Sequence, residues 1–152
     1  MSATAWIVIV VDDLNDYLVS VQASALRTAA LASGQADPFA NIMHDRCNYV
    51  RNRISKLISI SLTPYAVPPE LKTTACWLII ESMQTRIPQL KLSDDQKSLI
   101  ARAYKDLDIA ATKDLPISMP TDPETPAVQS GNGLTQVSKP TRKTSRTKLD
   151  GL

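Results

Sequence analysis

Apolar positions recur along most of this chain at helical spacing, and the densest such stretch runs from Val67 to Ile87. Leu71, Ala75, Leu78, Ile79, Ser82 and Met83 keep the i, i+3, i+4 rhythm of a core-facing stripe. Cys76, Trp77 and Ile80 widen it until little of the middle turns is polar. Pro68 and Pro69 suit a first helical turn, where the N–H that proline lacks would have no partner anyway. Glu70 near the start and Arg86 near the end match the helix dipole, and Pro88 supplies the stop. A helix this apolar must be covered on more than one side. One short chain can cover some of it, and further copies of the chain are candidates for the rest.

A second long helix is expected where Asp37-Pro38 reads as N-cap and first helical residue. Phe39, Ile42, Met43, Cys47, Val50, Ile54, Leu57 and Ile58 hold a 3.6 period over about five turns. Its other face carries Asp45, Arg46, Asn48, Arg51, Asn52, Arg53 and Lys56. Ser93-Asp94-Asp95-Gln96 has the form of a capping box opening a last helix, whose core face is Leu99, Ile100, Ala103, Tyr104, Leu107 and Ala110 or Ala111. Two smaller helices are expected earlier. Asp12 or Asp13 caps one through Leu14, Tyr17 and Leu18, and Gln22 to Ala32 forms another that stops at Ser33-Gly34. The mostly β-branched run Trp6 to Val11 suits a short strand. Ile58 to Leu62 alternates and reads as a short strand or an extended linker, and Thr63-Pro64-Tyr65-Ala66 as a turn.

The expected fold is therefore all-α: a helical bundle of four to five helices with a short N-terminal strand and an extended C-terminal arm. Its core should hold Phe39, Met43, Val50, Ile54, Leu71, Leu78, Ile79, Met83, Leu99, Tyr104 and Leu107. Composition agrees, since only four glycines occur in 152 residues, which suits helices joined by short Pro-containing loops. From Thr112 the character changes. Five of the ten prolines fall at Pro116, Pro120, Pro123, Pro126 and Pro140, with Ser and Thr frequent between them. Such a segment cannot bury enough apolar surface to fold alone. Residues 1–112 thus read as a helical domain and 113–152 as a Pro/Ser/Thr-rich basic arm.

Charge follows the same division. Residues 1–112 carry eleven basic and eleven acidic side chains, whereas 113–152 carry six and four. Five of those six basic residues (Lys139, Arg142, Lys143, Arg146 and Lys148) are bunched near the end. The helical part lacks the basic excess of a dedicated DNA-binding domain. Arg46, Arg51, Arg53 and Lys56 could form a basic face toward another subunit or toward DNA, or simply a solvated face. No apolar run reaches the roughly 18 residues needed to span a bilayer, and the N-terminal run lacks the basic flank of a signal peptide.

Catalytic chemistry finds little to build on. His44, the single histidine, has no nucleophile in a recognisable context beside it and reads as a surface or interface residue. Asp94 and Asp95 are explained by capping and dipole placement more simply than by a metal. Cys47 and Cys76 fall on apolar helix faces and read as reduced core residues. No enzyme, cofactor or metal site is expected.

Val67-Pro68-Pro69-Glu70-Leu71 before the central helix, Ala103-Tyr104, Leu107 and Ile109-Ala110 in the last one, and Val11-Asp12-Asp13-Leu14 near the start carry a family likeness. Over about residues 9 to 118 the chain resembles the head–tail connector (adaptor, or neck) proteins of tailed bacteriophages, particularly those of Mu-like phages. Members commonly place a Gly after the Ile-Ala of the last helix, where this chain has Ala111-Thr112-Lys113. The resemblance implies a structural virion protein, made in the host cytoplasm and located in the neck. It would form a homo-oligomeric, usually dodecameric, ring between the portal protein and the next neck, stopper or tail protein. The ring would leave a channel for DNA, with only transient non-specific contact to the genome and no membrane. The arm, with Pro116, Pro120, Pro123, Pro126, Lys139, Arg142, Lys143, Arg146 and Lys148, would dock on the portal. The alternative reading is a small nucleic-acid-binding regulator that uses the basic helix face and the tail.

Overall fold

The computed structural model describes residues 3–28, 38–87 and 90–123. Among the described residues five α-helices carry the fold: α1 (Val11–Leu14), α2 (Ser20–Thr28), α3 (Pro38–Ile54), α4 (Lys72–Gln84) and α5 (Asp94–Ala111). Two short strands, β1 (Ala3–Thr4) and β2 (Met119–Pro120), pair in parallel. The all-α expectation holds, with α4 packed against both α3 and α5. The expected caps and stops at Asp37, Ser33-Gly34 and Pro88 lie outside the described residues.

The centre is α4, reached through a 3₁₀ turn at Pro69–Leu71 that has proline in its first turn. Leu71, Ala75, Leu78, Ile79 and Met83 are fully buried, as the stripe requires. So are Cys76 and Ile80 on the flanks, with Trp77 nearly so. One copy of the chain therefore covers the middle of α4, Thr74 to Ile80, on all sides, and its apolar flanks leave no uncovered stripe there for other copies. The covering comes from α3, α5 and the N-terminal segment: Tyr17 meets the Trp77 ring edge-on at 5.5 Å, and Lys72 pairs with Asp13 at 2.8 Å.

Several boundaries differ from expectation for local reasons. No strand forms over Trp6–Val11; only Ile7 makes a bridge, exchanging both hydrogen bonds with Val67 at 2.8 and 2.9 Å, and Val11 already belongs to α1. That ladder cannot grow in either direction. On one side its next partner would be Pro69, which has no N–H, and on the other Tyr65, which sits in a left-handed turn at φ 62°. α1 begins at Val11, so Asp13 is inside the helix and not its cap; its carboxylate accepts the Val10 N–H at 2.9 Å. α3 stops at Ile54 and not Ile58, and its end tightens where the Leu57 N–H turns back three residues to the Ile54 carbonyl at 2.9 Å. Ser61 makes a single bridge to Pro123 and no strand.

α5 opens with the expected capping box: Ser93 Oγ accepts the Gln96 N–H, and Gln96 Oε1 accepts the Ser93 N–H. Ile100, Ala103, Leu107 and Ala110 form its buried face. Leu99 does not belong to the core, being 42% exposed. It lies one position off a seam that spans only the width of α3 and α4. Tyr104 is half-buried at the edge of the same seam, its hydroxyl donating to Glu81 at 2.5 Å.

The largest correction concerns the domain boundary at residue 112. α5 ends in a Schellman motif, in which the Asp114 N–H reaches the Ile109 carbonyl and the Lys113 N–H that of Ala110. Lys113 takes the left-handed position at φ 71°, the conformation that a glycine supplies without a Cβ penalty. The turn sends the chain back along the bundle. Ile117 is buried in the core, Leu115 packs against it, and β2 pairs with β1. Trp6 Nε1 donates to the Ser118 carbonyl at 3.1 Å, and Ser118 donates from both its N–H and its hydroxyl to Glu70. The body of the protein thus runs through Pro123, and Pro116, Pro120 and Pro123 belong to it and not to a free arm. Pro126, Lys139, Arg142, Lys143, Arg146 and Lys148 lie outside the described residues.

A core role for residue 117 has a measurable consequence. Ile117→Ala should lower the free energy of urea unfolding by about 2–5 kcal/mol, as for other buried aliphatic truncations. A loss under about 0.5 kcal/mol, the range of neutral surface changes, would return the segment to the arm.

Candidate functional site

The four expected basic-face residues have separate fates. Arg51 is only 8% exposed and donates to three backbone carbonyls: Ser61 at 2.8 Å, Ala66 at 2.7 Å and Thr63 at 3.1 Å. Its guanidinium also lies 6.0 Å from the centre of the Trp6 ring, within cation–π range. It is a structural tether, not part of an exposed face. The spacing held the signal: Cys47, Arg51 and Ile54 stand at i, i+4, i+7, on the core stripe and not opposite it. Arg53 pairs with Asp108 on α5. Arg46 donates from Nε to Ser82 Oγ on α4, and its guanidinium lies 6.0 Å from the Tyr49 ring centre. Lys56 is exposed in the turn after α3. Of the four, Arg51 and Arg53 are taken up in bracing the bundle.

His44 is not an open surface residue either. Its ring stacks on Tyr65, with centroids 3.7 Å apart and planes 7° from parallel. A non-glycine residue at positive φ costs energy that its surroundings must offset. Here the Arg51 bonds to the carbonyls on either side and the His44 ring on one face hold Tyr65 in place. Cys47 and Cys76 are free and buried, and burial pushes their thiols up to about 11 and about 12, as suits reduced core residues. Burial and the bond to Glu81 push the Tyr104 hydroxyl up to about 12.

Asp122 was not singled out by its sequence context, yet it closes the structure. Its carboxylate accepts from Ser61 Oγ at 2.7 Å, Thr63 Oγ1 at 2.9 Å and the Thr63 N–H at 3.1 Å, while its own carbonyl accepts the Leu62 N–H at 2.9 Å. The bonds from Ser61 and Thr63 hold this carboxyl below the usual carboxylate value. Asp13 is also lowered: burial pushes it up, but the bonds from Lys72 and the Val10 N–H outweigh that.

Among the described residues no group of three or more His, Cys, Asp or Glu side chains is placed to hold a metal, and no helix is long and apolar enough to cross a membrane. The grooves lie between helices. An apolar one of about 230 Å³ runs beneath the return segment, bounded by Leu57, Ile58, Leu115 and Met119. A polar one of about 400 Å³ lies between α3 and the end of α4, with Arg46 and Arg86 in its wall. No family model, curated protein or solved structure matches this chain.

Two outcomes follow from these contacts. Arg51→Met leaves three carbonyls without their donor and should cost about 3 kcal/mol or more. Arg53→Gln removes an exposed pair and should cost no more than about 1 kcal/mol; equal effects in urea unfolding would contradict the tether. For pH, a lowered carboxyl stabilises the fold above its unfolded value near 3.9, and that stability is lost as pH falls through the lower, folded value. Asp122→Asn should therefore flatten the fall of the unfolding midpoint below about pH 4, and an unchanged acid limb would contradict the clasp.

Proposed function

We propose that this protein is a structural component of a tailed-phage neck, a head–tail connector that acts by assembly and not by catalysis. The observation that carries the reading is the position of the Val67–Leu71 stretch, on which the family resemblance rests. Val67 pairs with Ile7, Glu70 accepts from Ser118, Leu71 is fully buried and Pro69 opens the turn into α4. The resemblance therefore falls on the junction of N-terminal segment, central helix and return segment, where a change of sequence would alter the fold. Of its residues in the last helix, Ala103, Leu107 and Ala110 are buried against the rest of the bundle, Tyr104 is half-buried and Ile109 is exposed.

In this reading copies of the chain form a ring, usually dodecameric in the family, between the portal and the following neck, stopper or tail protein. Genomic DNA would pass through it with transient, non-specific contact. The nucleic-acid-regulator alternative loses support from the way Arg51 and Arg53 are engaged within the bundle. The portal-docking part of the arm is confined to the residues beyond Pro123, with Pro126 and the basic group Lys139, Arg142, Lys143, Arg146 and Lys148.

Co-expression with the portal protein of the same genome tests this. The full chain should co-purify with the portal in a ring-shaped complex visible by electron microscopy. A variant with the five basic residues reversed to Glu should remain folded and lose the portal. A full chain that never binds portal would overturn the reading.

A further inference from the structure

The polar groove between α3 and the end of α4 has no part in the portal contact just described. Its most telling feature is that one guanidinium is already fixed. Arg46 is held at Nε by Ser82 Oγ and lies over the Tyr49 ring, and Ser82 itself donates to the Leu78 carbonyl at 3.0 Å. A partner that bound Arg46 would lose little further side-chain freedom in doing so. Arg86, just past α4, lines the same groove, is exposed, and has no side-chain partner among the described residues. Asp45 offsets one of the two positive charges and leaves the groove net positive. Guanidinium groups match the planar, two-oxygen geometry of a carboxylate, so the groove is suited to an acidic side chain.

The chain itself presents such carboxylates elsewhere. At the start of α5, Asp95 is exposed and has no partner among the described residues, while the neighbouring Asp94 is paired with Lys97 at 3.1 Å. Gln96 exchanges amide bonds with Gln22, both at 2.9 Å, and donates to the Tyr17 carbonyl at 3.4 Å. That network holds the Asn15–Tyr17 turn against α5 and brings Asp16, also exposed and without a partner among the described residues, to the same end as Asp95. Asp16 thus belongs to the turn tied to Gln96, the residue after Asp95, while Arg46 and Arg86 line the groove.

We propose that the Arg46–Arg86 groove is a contact surface between copies of this chain, receiving the acidic end that carries Asp16 and Asp95 of a second copy. The inference rests on the assembly reading above and names the surface through which copies meet. Charge pairs across such a contact set register and exclude wrong partners as much as they add affinity. The groove also gives α4 a role at its polar end that its buried middle cannot have.

Sedimentation velocity of the full chain over a range of concentrations tests the contact, with circular dichroism as the check on folding. Wild type should self-associate. Arg86→Asp and Asp95→Arg should each weaken that association about tenfold or more, and the two together in one chain should restore it. Asp95→Asn, the milder change at the helix start, should weaken it in the same direction. A wild type that stays monomeric, single reversals without effect, or a double variant that stays apart would each overturn the proposal. Portal binding with association insensitive to these changes would overturn this contact and leave the connector reading standing. Charge-swap behaviour without any portal binding would do the reverse.

Discussion

Arg51 leaves α3 toward the interior and ends among the carbonyls of Ser61, Thr63 and Ala66, and much of the architecture depends on that contact. The connection from α3 to α4, residues 55–71, is partly buried, and the carbonyls of Ser61 and Ala66 lie where water does not reach them. Unsatisfied, each would cost about 1–3 kcal/mol. One rigid five-donor group satisfies both, and the Thr63 carbonyl with them, and fixes the turn in which Tyr65 takes its left-handed conformation. The turn places Val67 opposite Ile7, and the proline pair then directs the chain into α4. A lysine could not do the same, since its single ammonium does not present a planar fork.

The return segment depends on the same connection. Asp122 accepts from the Ser61 and Thr63 hydroxyls while Arg51 donates to the carbonyls of the same two residues, so the 61–66 stretch is held by both a carboxylate and a guanidinium. Ser118 is tied to Trp6 and Glu70, and the Trp6 ring lies against Arg51. N-terminal segment, interhelical connection and return segment therefore meet around one side chain. Loosening any one of the three removes support from the other two, which is the setting in which deletions are non-additive.

Much of the bundle was legible in the sequence. The 3.6 period located α3, α4 and α5, and Ser93 with Gln96 marked the start of α5, because these signals are local and repeat over several turns. What was hidden depends on distant partners. Arg51 sat on the core stripe by spacing, but its chemistry pointed outward until the carbonyls of the next connection were known. Leu115, Ile117 and Met119 alternate as a half-buried strand would, yet the prolines among them suggested a solvated arm. Asp122 was one acid in a polar stretch; only the fold brings Ser61 and Thr63 to it. The same limit applies to the candidate groove, since Arg46 and Arg86 are forty residues apart and share a wall only because α3 and α4 pack side by side.

The cover over α4 also changes what an assembly of this chain would have to use. A helix apolar on every side suggested that copies share a hydrophobic seam, as obligate oligomers do. With Cys76, Trp77 and Ile80 buried by the chain's own elements, that seam is already filled. Contacts between copies would instead fall on polar helix ends, where charged groups give specificity and sensitivity to salt more than affinity. Such contacts are individually weak, and in the proposed connector a portal would reinforce them by holding neighbouring copies close together. A buried middle of α4 is thus compatible with the proposed connector, whose cohesion would then come from the charged surface and the tail and not from the core.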